Sequence, residues 1–373
     1  MLPTLFLSTL LSAGVLQEQA AGRLIYVGDP DLPTTRVSLF ISDQKLDPPK
    51  LSPKKFGDPA QPFEFEWAVT GMGRRNFPGN FDARCRVYSQ ERKAKGDVAP
   101  GVAREIMQLW AMNYTKLGLE HSPLFNDQVV DVYLCWGGKP GGEQLFDIDS
   151  RIHNGVKEEF KANTVYIYDL PSFKDPIEMC REVAHEYGHA TLPAIGGFKD
   201  PEEWGNGYLG ERLFLRWLRD GIKSKKLGTV DAMDASLEDL DAWVKKNVDP
   251  LVEHTAQTGV EMGMLEGTGP AALDSYMGLV LYLDTIFPPR TFAMSLRDTA
   301  STKAKDFALA IIRTIDASDT RIVLSLPAGR KGGLWVPVGK GKIAGAQTLK
   351  KKGDWAFILP GTGAVSIVPA GVK

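Results

Sequence analysis

The chain has 373 residues, and its 44 Lys and Arg against 46 Asp and Glu leave a formal net charge of −2, so it lacks the cationic excess with which nucleic-acid binders neutralise phosphates. The length allows two or three structural units with ample core. Cys85, Cys135 and Cys180 are too few for a disulfide scaffold, although Cys85 and Cys135 could pair outside the cell and leave Cys180 as a buried free thiol.

Leu5 to Leu16 is an apolar run too short to span a bilayer, and the small residues Ala20, Ala21 and Gly22 follow it. Residues 1–21 therefore read as a secretory signal peptide, which makes the protein secreted or periplasmic, and no later run is long enough for a membrane span. Residues 22–192 read as an N-terminal α/β subdomain. Its strand-like runs are Leu24–Val27, Val37–Ile41, the alternating Phe63–Trp67 and a segment near Cys85–Tyr88. Val102, Ile106, Leu109, Met112 and Leu117 recur along one segment and predict a helix from about 98 to 118. Val129–Trp136 and Thr164–Tyr168, rich in β-branched and aromatic residues, predict two further strands.

The next helix carries the most informative residues of the chain. Asp175-Pro176-Ile177-Glu178 has the form of a capping box, with Asp at the N-cap, Pro at the first helical position and Glu reaching back from the third. Pro193 closes the segment, so the helix is expected over about 176–192. Inside it stands His185-Glu186-Tyr187-Gly188-His189. Residues four apart lie one turn above each other, so both imidazoles can reach one metal ion while Glu186 reaches a water on that ion. From the chain's own composition such a pentapeptide arises by chance in roughly half a percent of sequences. A core helix with two hydrogen-bonded histidines is the bland alternative.

A hydrolytic zinc site needs a third protein ligand and one open position. The residues at which a metzincin would carry its Gly and third His are Leu192 and Ile195, so that solution fails. A helix beginning near Asn206-Gly207 offers another. At 100° per residue, Arg212, Arg216, Arg219 and Asp220 share one arc, while Leu213, Phe214, Leu215, Trp217 and Leu218 share the opposite one. Glu211 falls within the apolar arc, where a carboxylate is costly unless paired, protonated or bound to a cation. It is the candidate third ligand, with an ion pair as the alternative. Glu202 and Glu203 are competing ligands, read more simply as the first turn of a capped segment, Asp200-Pro201-Glu202-Glu203.

Residues 193–318 read as a helical subdomain, with its strongest segments at 235–255, 270–287 and 300–316. From 319 to 373 short strands separated by Gly, Pro and Lys, near 322–324, 334–338, 355–359 and 365–368, suggest a small β-rich basic unit. Lys350-Lys351-Lys352 could contact an anionic cell-surface polymer; a solvated hairpin turn is the commoner meaning of such a run.

On His185, Glu186, His189 and Glu211, within roughly residues 160–220, the chain resembles the gluzincins, the thermolysin-like and aminopeptidase-like zinc metallopeptidases. Their pattern is His-Glu-x-x-His followed about twenty residues later by a Glu on the next helix. The chain departs from it at Gly210, where an Asn precedes the Glu in those enzymes, and at Leu215, where thermolysin-like enzymes carry an Asp. The group that would orient the zinc histidines is therefore unassigned. The resemblance implies an α+β, zincin-like fold: a mixed sheet with the active-site helix, an edge strand that pairs with substrate, and a helical lower subdomain. It also implies Zn²⁺, with Glu186 as general base, and an oxyanion-binding Tyr or His for which Tyr276 and His254 are the candidates. A secreted zinc-dependent metallopeptidase acting on peptide or protein substrates is the expected function. The alternative is a non-catalytic, zinc-stabilised protein that recognises a cell-surface polymer.

Overall fold

The structure is a computed structural model, and it describes residues 25–28, 36–45, 65, 67–75, 82–90, 98–118, 129–153, 156–224, 235–326 and 332–372. The expected signal peptide and most of the Phe63–Trp67 run lie outside these residues. The architecture is mixed α/β, with one mixed sheet and two small antiparallel sheets. Two compact units divide it: the first takes the described residues up to 115, from 119 to 191 and from 217 to 240, and the second takes the rest. Among the described residues no helix is long and apolar enough to cross a membrane.

The first unit is built on seven strands, β1 (Ile25–Gly28), β2 (Arg36–Lys45), β3 (Trp67–Arg75), β4 (Asp82–Ser89), β5 (Val130–Leu134), β6 (Gly141–His153) and β7 (Val156–Tyr168). They lie in the order β1-β2-β3-β4-β5-β7-β6. β4, β5 and β7 are parallel, whereas β6 is antiparallel to β7 and forms the sheet edge. Helix α1 (Val98–Met112) makes the crossover from β4 to β5 and continues as a π-helical turn over Asn113–Leu117. It packs on β3 and β4, and beside it α2 (Pro176–Thr191) packs on β6 and β7.

Strand alternation separates two cores. Val87, Val132 and Val165 are buried with Cys85 on one face, the face of α1, since a Cβ on Gly71 would meet both Cys85 Sγ and Met107 of that helix. On the opposite face Tyr88, Tyr133 and Tyr166 stack across the parallel strands, with ring centroids 4.9 and 5.1 Å apart. Cys135 belongs to this aromatic cluster. Cys85 and Cys135 thus lie on opposite faces, and both are free thiols. The pairing that the sequence left open is excluded by geometry, because a disulfide requires Cβ atoms within about 4.5 Å.

The second unit is mainly helical. After α3 (Asn206–Lys223), which belongs to it up to Arg216, come α4 (Leu237–Asn247), which belongs to it from Asp241, α5 (Asp249–Thr258), α6 (Pro270–Ile286), α7 (Pro289–Arg297) and α8 (Ala304–Asp316). The single helix expected over 235–255 is two, and α7 was not foreseen. Gly278 lets α6 approach α5, since a Cβ there would lie 2.7 Å from Thr255 Oγ1 and 3.1 Å from the Leu251 carbonyl oxygen. Arg216, on the polar arc of α3, is nevertheless not at the surface. It is buried, donating to the Leu281 carbonyl and Thr285 Oγ1 at 2.9 Å each and pairing with Asp284 of α6.

The same unit holds the tail strands β8 (Ile322–Val323), β9 (Leu334–Pro337), β10 (Lys342–Ala344), β11 (Ala346–Lys352), β12 (Trp355–Pro360) and β13 (Ser366–Val368). They form two three-stranded sheets, β10-β13-β8 and β11-β12-β9. The Tyr282 hydroxyl donates to the Trp335 carbonyl at 2.7 Å and ties α6 to β9. Lys350, Lys351 and Lys352 belong to strand β11 rather than to a turn. They are exposed, with the Lys350 ammonium over the rings of Trp335 and Phe357.

Candidate metal centre

α2 spans Pro176–Thr191 and starts where its sequence sets it. Its cap differs in one detail: the Glu178 carboxylate accepts from the backbone N–H of Lys174 at 3.0 Å, one residue before the expected Asp175. At the other end two side chains donate to carbonyls of the last turns, and that of Ala190 is one the helix itself leaves unpaired. Asn163 Nδ2 on β7 donates to the Ala190 carbonyl at 2.8 Å, and Thr191 Oγ1 donates to that of Tyr187 at 2.7 Å. Thr191 Oγ1 in turn accepts from Asn113 Nδ2 at 3.1 Å, so both the sheet and the residue after α1 fix the helix end.

Met179, Cys180, Val183, Ala184 and Tyr187 are buried along α2. Burial pushes the Tyr187 phenol well above its ordinary range. His185 and His189 lie on the half-exposed stripe of the helix, while Glu186, 4% exposed, turns inward beside them. The two imidazole Nε2 atoms are 3.2 Å apart. Nitrogens at that separation, each about 2.0–2.1 Å from a shared ion, would subtend about 100–106° there, near the tetrahedral angle. With no ion, the same separation suits an N–H···N hydrogen bond in which one ring is the donor.

A carboxylate joins this pair. Among the described residues, His185, His189 and Glu202 form a group whose ligand atoms all lie within 4.8 Å of one another, and it could hold a metal ion. Glu202 does not sit in a helical turn. It lies on the return limb of a narrow loop closed by the Gly196–Trp204 bridge, by Phe198 N–H to the Glu203 carbonyl at 3.3 Å and by Gly205 N–H to the Ile195 carbonyl at 2.7 Å. These backbone pairings override the helix-start reading of Asp200–Glu203.

Glu211 is outside that group. It is 2% exposed on α3, and Nη1 of Arg212 lies 3.4 Å from its Oε2. Tyr276 is fully buried in α6, with the rings of Phe198 and Phe307 around it. Burial raises its phenol pKa. His254 is exposed on α5, where it lines a shallow surface cleft with Glu261 and Ser275.

Two further acidic positions were not singled out from the sequence. Glu182, one turn before Glu186 on α2, comes with it to the backbone of β6 at Gly142. Glu105 of α1 is fully buried and accepts from the Cys180 thiol at 3.2 Å. Burial drives both groups of that pair upward. Comparison of the sequence with protein-family models and with curated proteins finds no match.

Proposed function

We propose that the chain is a secreted zinc metallopeptidase in which His185, His189 and Glu202 hold Zn²⁺ and Glu186 is the general base. The observation that carries this reading is the approach of two imidazole nitrogens to 3.2 Å on one half-exposed helix face, with a carboxylate in the same group. Two imidazoles, one carboxylate and an open position are the donor set of catalytic zinc. When bound, zinc supplies Lewis acidity, lowering the pKa of a water and polarising the scissile carbonyl.

Glu186 takes a proton from the attacking water and returns it to the departing amine nitrogen. Its place beside the histidines on one helix keeps it near the ion without spending it as a ligand. Two features of the fold favour a zincin-like arrangement. The sheet is mixed, and its antiparallel edge strand β6 packs against α2. An edge strand offers backbone donors and acceptors to an extended peptide, which would lie along β6.

A peptide-library cleavage assay on the purified protein, with chelator added and zinc then restored, tests the reading. Cleavage that stops with chelator and returns with zinc is expected. A protein that binds zinc at the histidines and cleaves no peptide would be the non-catalytic alternative.

A further inference from the structure

Gly141 and Gly142 open strand β6 side by side, for different physical reasons. Gly141 has φ +128°, a backbone conformation that side chains with a Cβ rarely adopt. Gly142 has no such conformational need, and its requirement is space. A Cβ built on it would lie 2.5 Å from Cγ and 2.7 Å from Oε1 of Glu186, and 2.8 Å from Oε1 of Glu182. Carbon atoms in contact settle near about 3.5–4.0 Å, so the room is missing by roughly 1 Å.

The atoms in the way are not the apolar side chains that fill an ordinary strand–helix contact. They belong to the two α2 glutamates, and the nearest is the middle of the Glu186 side chain. β6 pairs through its whole length with β7, Gly142 standing opposite Ile167, and the C-terminal end of α2 is tied to β7 through Asn163. Backbone on both sides of the contact is therefore held, whereas a side chain can respond by changing rotamer. A methyl group at position 142 would be accommodated by moving Glu186.

From this we infer that Gly142 is a positioning residue, whose missing side chain seats the Glu186 carboxylate against β6 in the place from which it works. The inference rests on the reading of Glu186 as the proton carrier. Reacting groups displaced by about 1 Å can lose roughly 10²-fold in rate, so the glycine matters to turnover although it is not among the metal-holding residues.

The test is Gly142→Ala in the full chain, read by crystallography, zinc content and kinetics. Expected are a Glu186 carboxylate moved by about 1 Å or more with β6 and α2 in place, unchanged zinc, and kcat lowered at least about tenfold with KM little changed. The loss of kcat should vanish in a Glu186→Gln background. A Glu186 that stays while β6 withdraws, or an equal kcat loss in both backgrounds, would overturn the inference. Should Gly142→Ala fail to fold, the Gly142→Ala/Glu186→Ala double variant should fold, and its failure would make the glycine a strand-packing residue only. If the unmodified protein cleaves no peptide, the peptidase reading fails by itself, and the Glu186 displacement still decides where Gly142 acts.

Discussion

Glu202 and Glu211 divide the question of the third ligand between them. Glu202 shares the histidine group, whereas Glu211, the residue favoured by its place in an apolar arc, is buried with a guanidinium 3.4 Å away. Glu202→Gln should weaken zinc binding at least about tenfold in a competitive chelator titration, and Glu211→Gln should leave it nearly unchanged. The reverse result would restore the ligand set implied by the resemblance. His185, Glu186 and His189 were legible because their spacing is fixed within one helix. Glu202 stood only as a competing ligand beside Glu203, since its position depends on a loop closed by backbone pairings to residues on either side.

Glu105 carries a separate prediction. Its carboxyl, fully buried against Cys180, is raised well above the ordinary 4.5, first by burial, while the Cys180 hydrogen bond pulls the other way. An acid with a raised folded-state pKa contributes stability that is complete below pH 4.5 and is lost as pH climbs through the folded value. Thermal melts of wild type and Glu105→Gln should therefore coincide in acid and separate above it. The gap should grow by up to about 1.4 kcal/mol per pH unit, with the variant the more stable. Parallel melting curves across pH would contradict the buried, protonated state.

At the scale of elements, local signals carried most of α2 and the parallel strands. Pro176 and Glu178 set the helix start, and β-branched or aromatic runs marked β4, β5 and β7. β6, the edge strand that packs against the base helix, escaped because it begins with two glycines and reads as a loop. A signal was present: Asn154-Gly155, outside the described residues, separates His153 from Val156, which pair across the two strands, and Asn-Gly is the strongest short hairpin mark. The burial of Arg216 is not readable from its polar arc because its partner Asp284 arrives from a helix far along the chain, beyond the reach of a helical-wheel argument. The lysines of β11 charge an edge strand, a device that discourages strand pairing between molecules. For α2 the decisive contact is non-local as well. Asn163→Ala removes the partner of the Ala190 carbonyl and should lower stability by about 1–3 kcal/mol in denaturant unfolding, the usual penalty for orphaning a buried polar group. A neutral effect would mean that the helix end does not depend on β7.

For the whole molecule, the described residues fall into two compact units, one with an aromatic-faced mixed sheet and one with helices and small antiparallel sheets. Length suggests two or three structural units. That the tail strands share a unit with the helices is not readable from length, because it depends on contacts such as the Tyr282–Trp335 hydrogen bond. The chemistry proposed for the molecule rests on the separation of roles along α2, with the histidines as ligands and Glu186 as proton carrier. Measuring bound zinc and peptide turnover together on Glu186→Gln tests that separation most directly. The account predicts a full zinc complement with turnover reduced by about 10²–10⁴-fold, the range of general acid–base catalysis. Zinc lost from this variant, or turnover surviving in it, would contradict the roles assigned to α2.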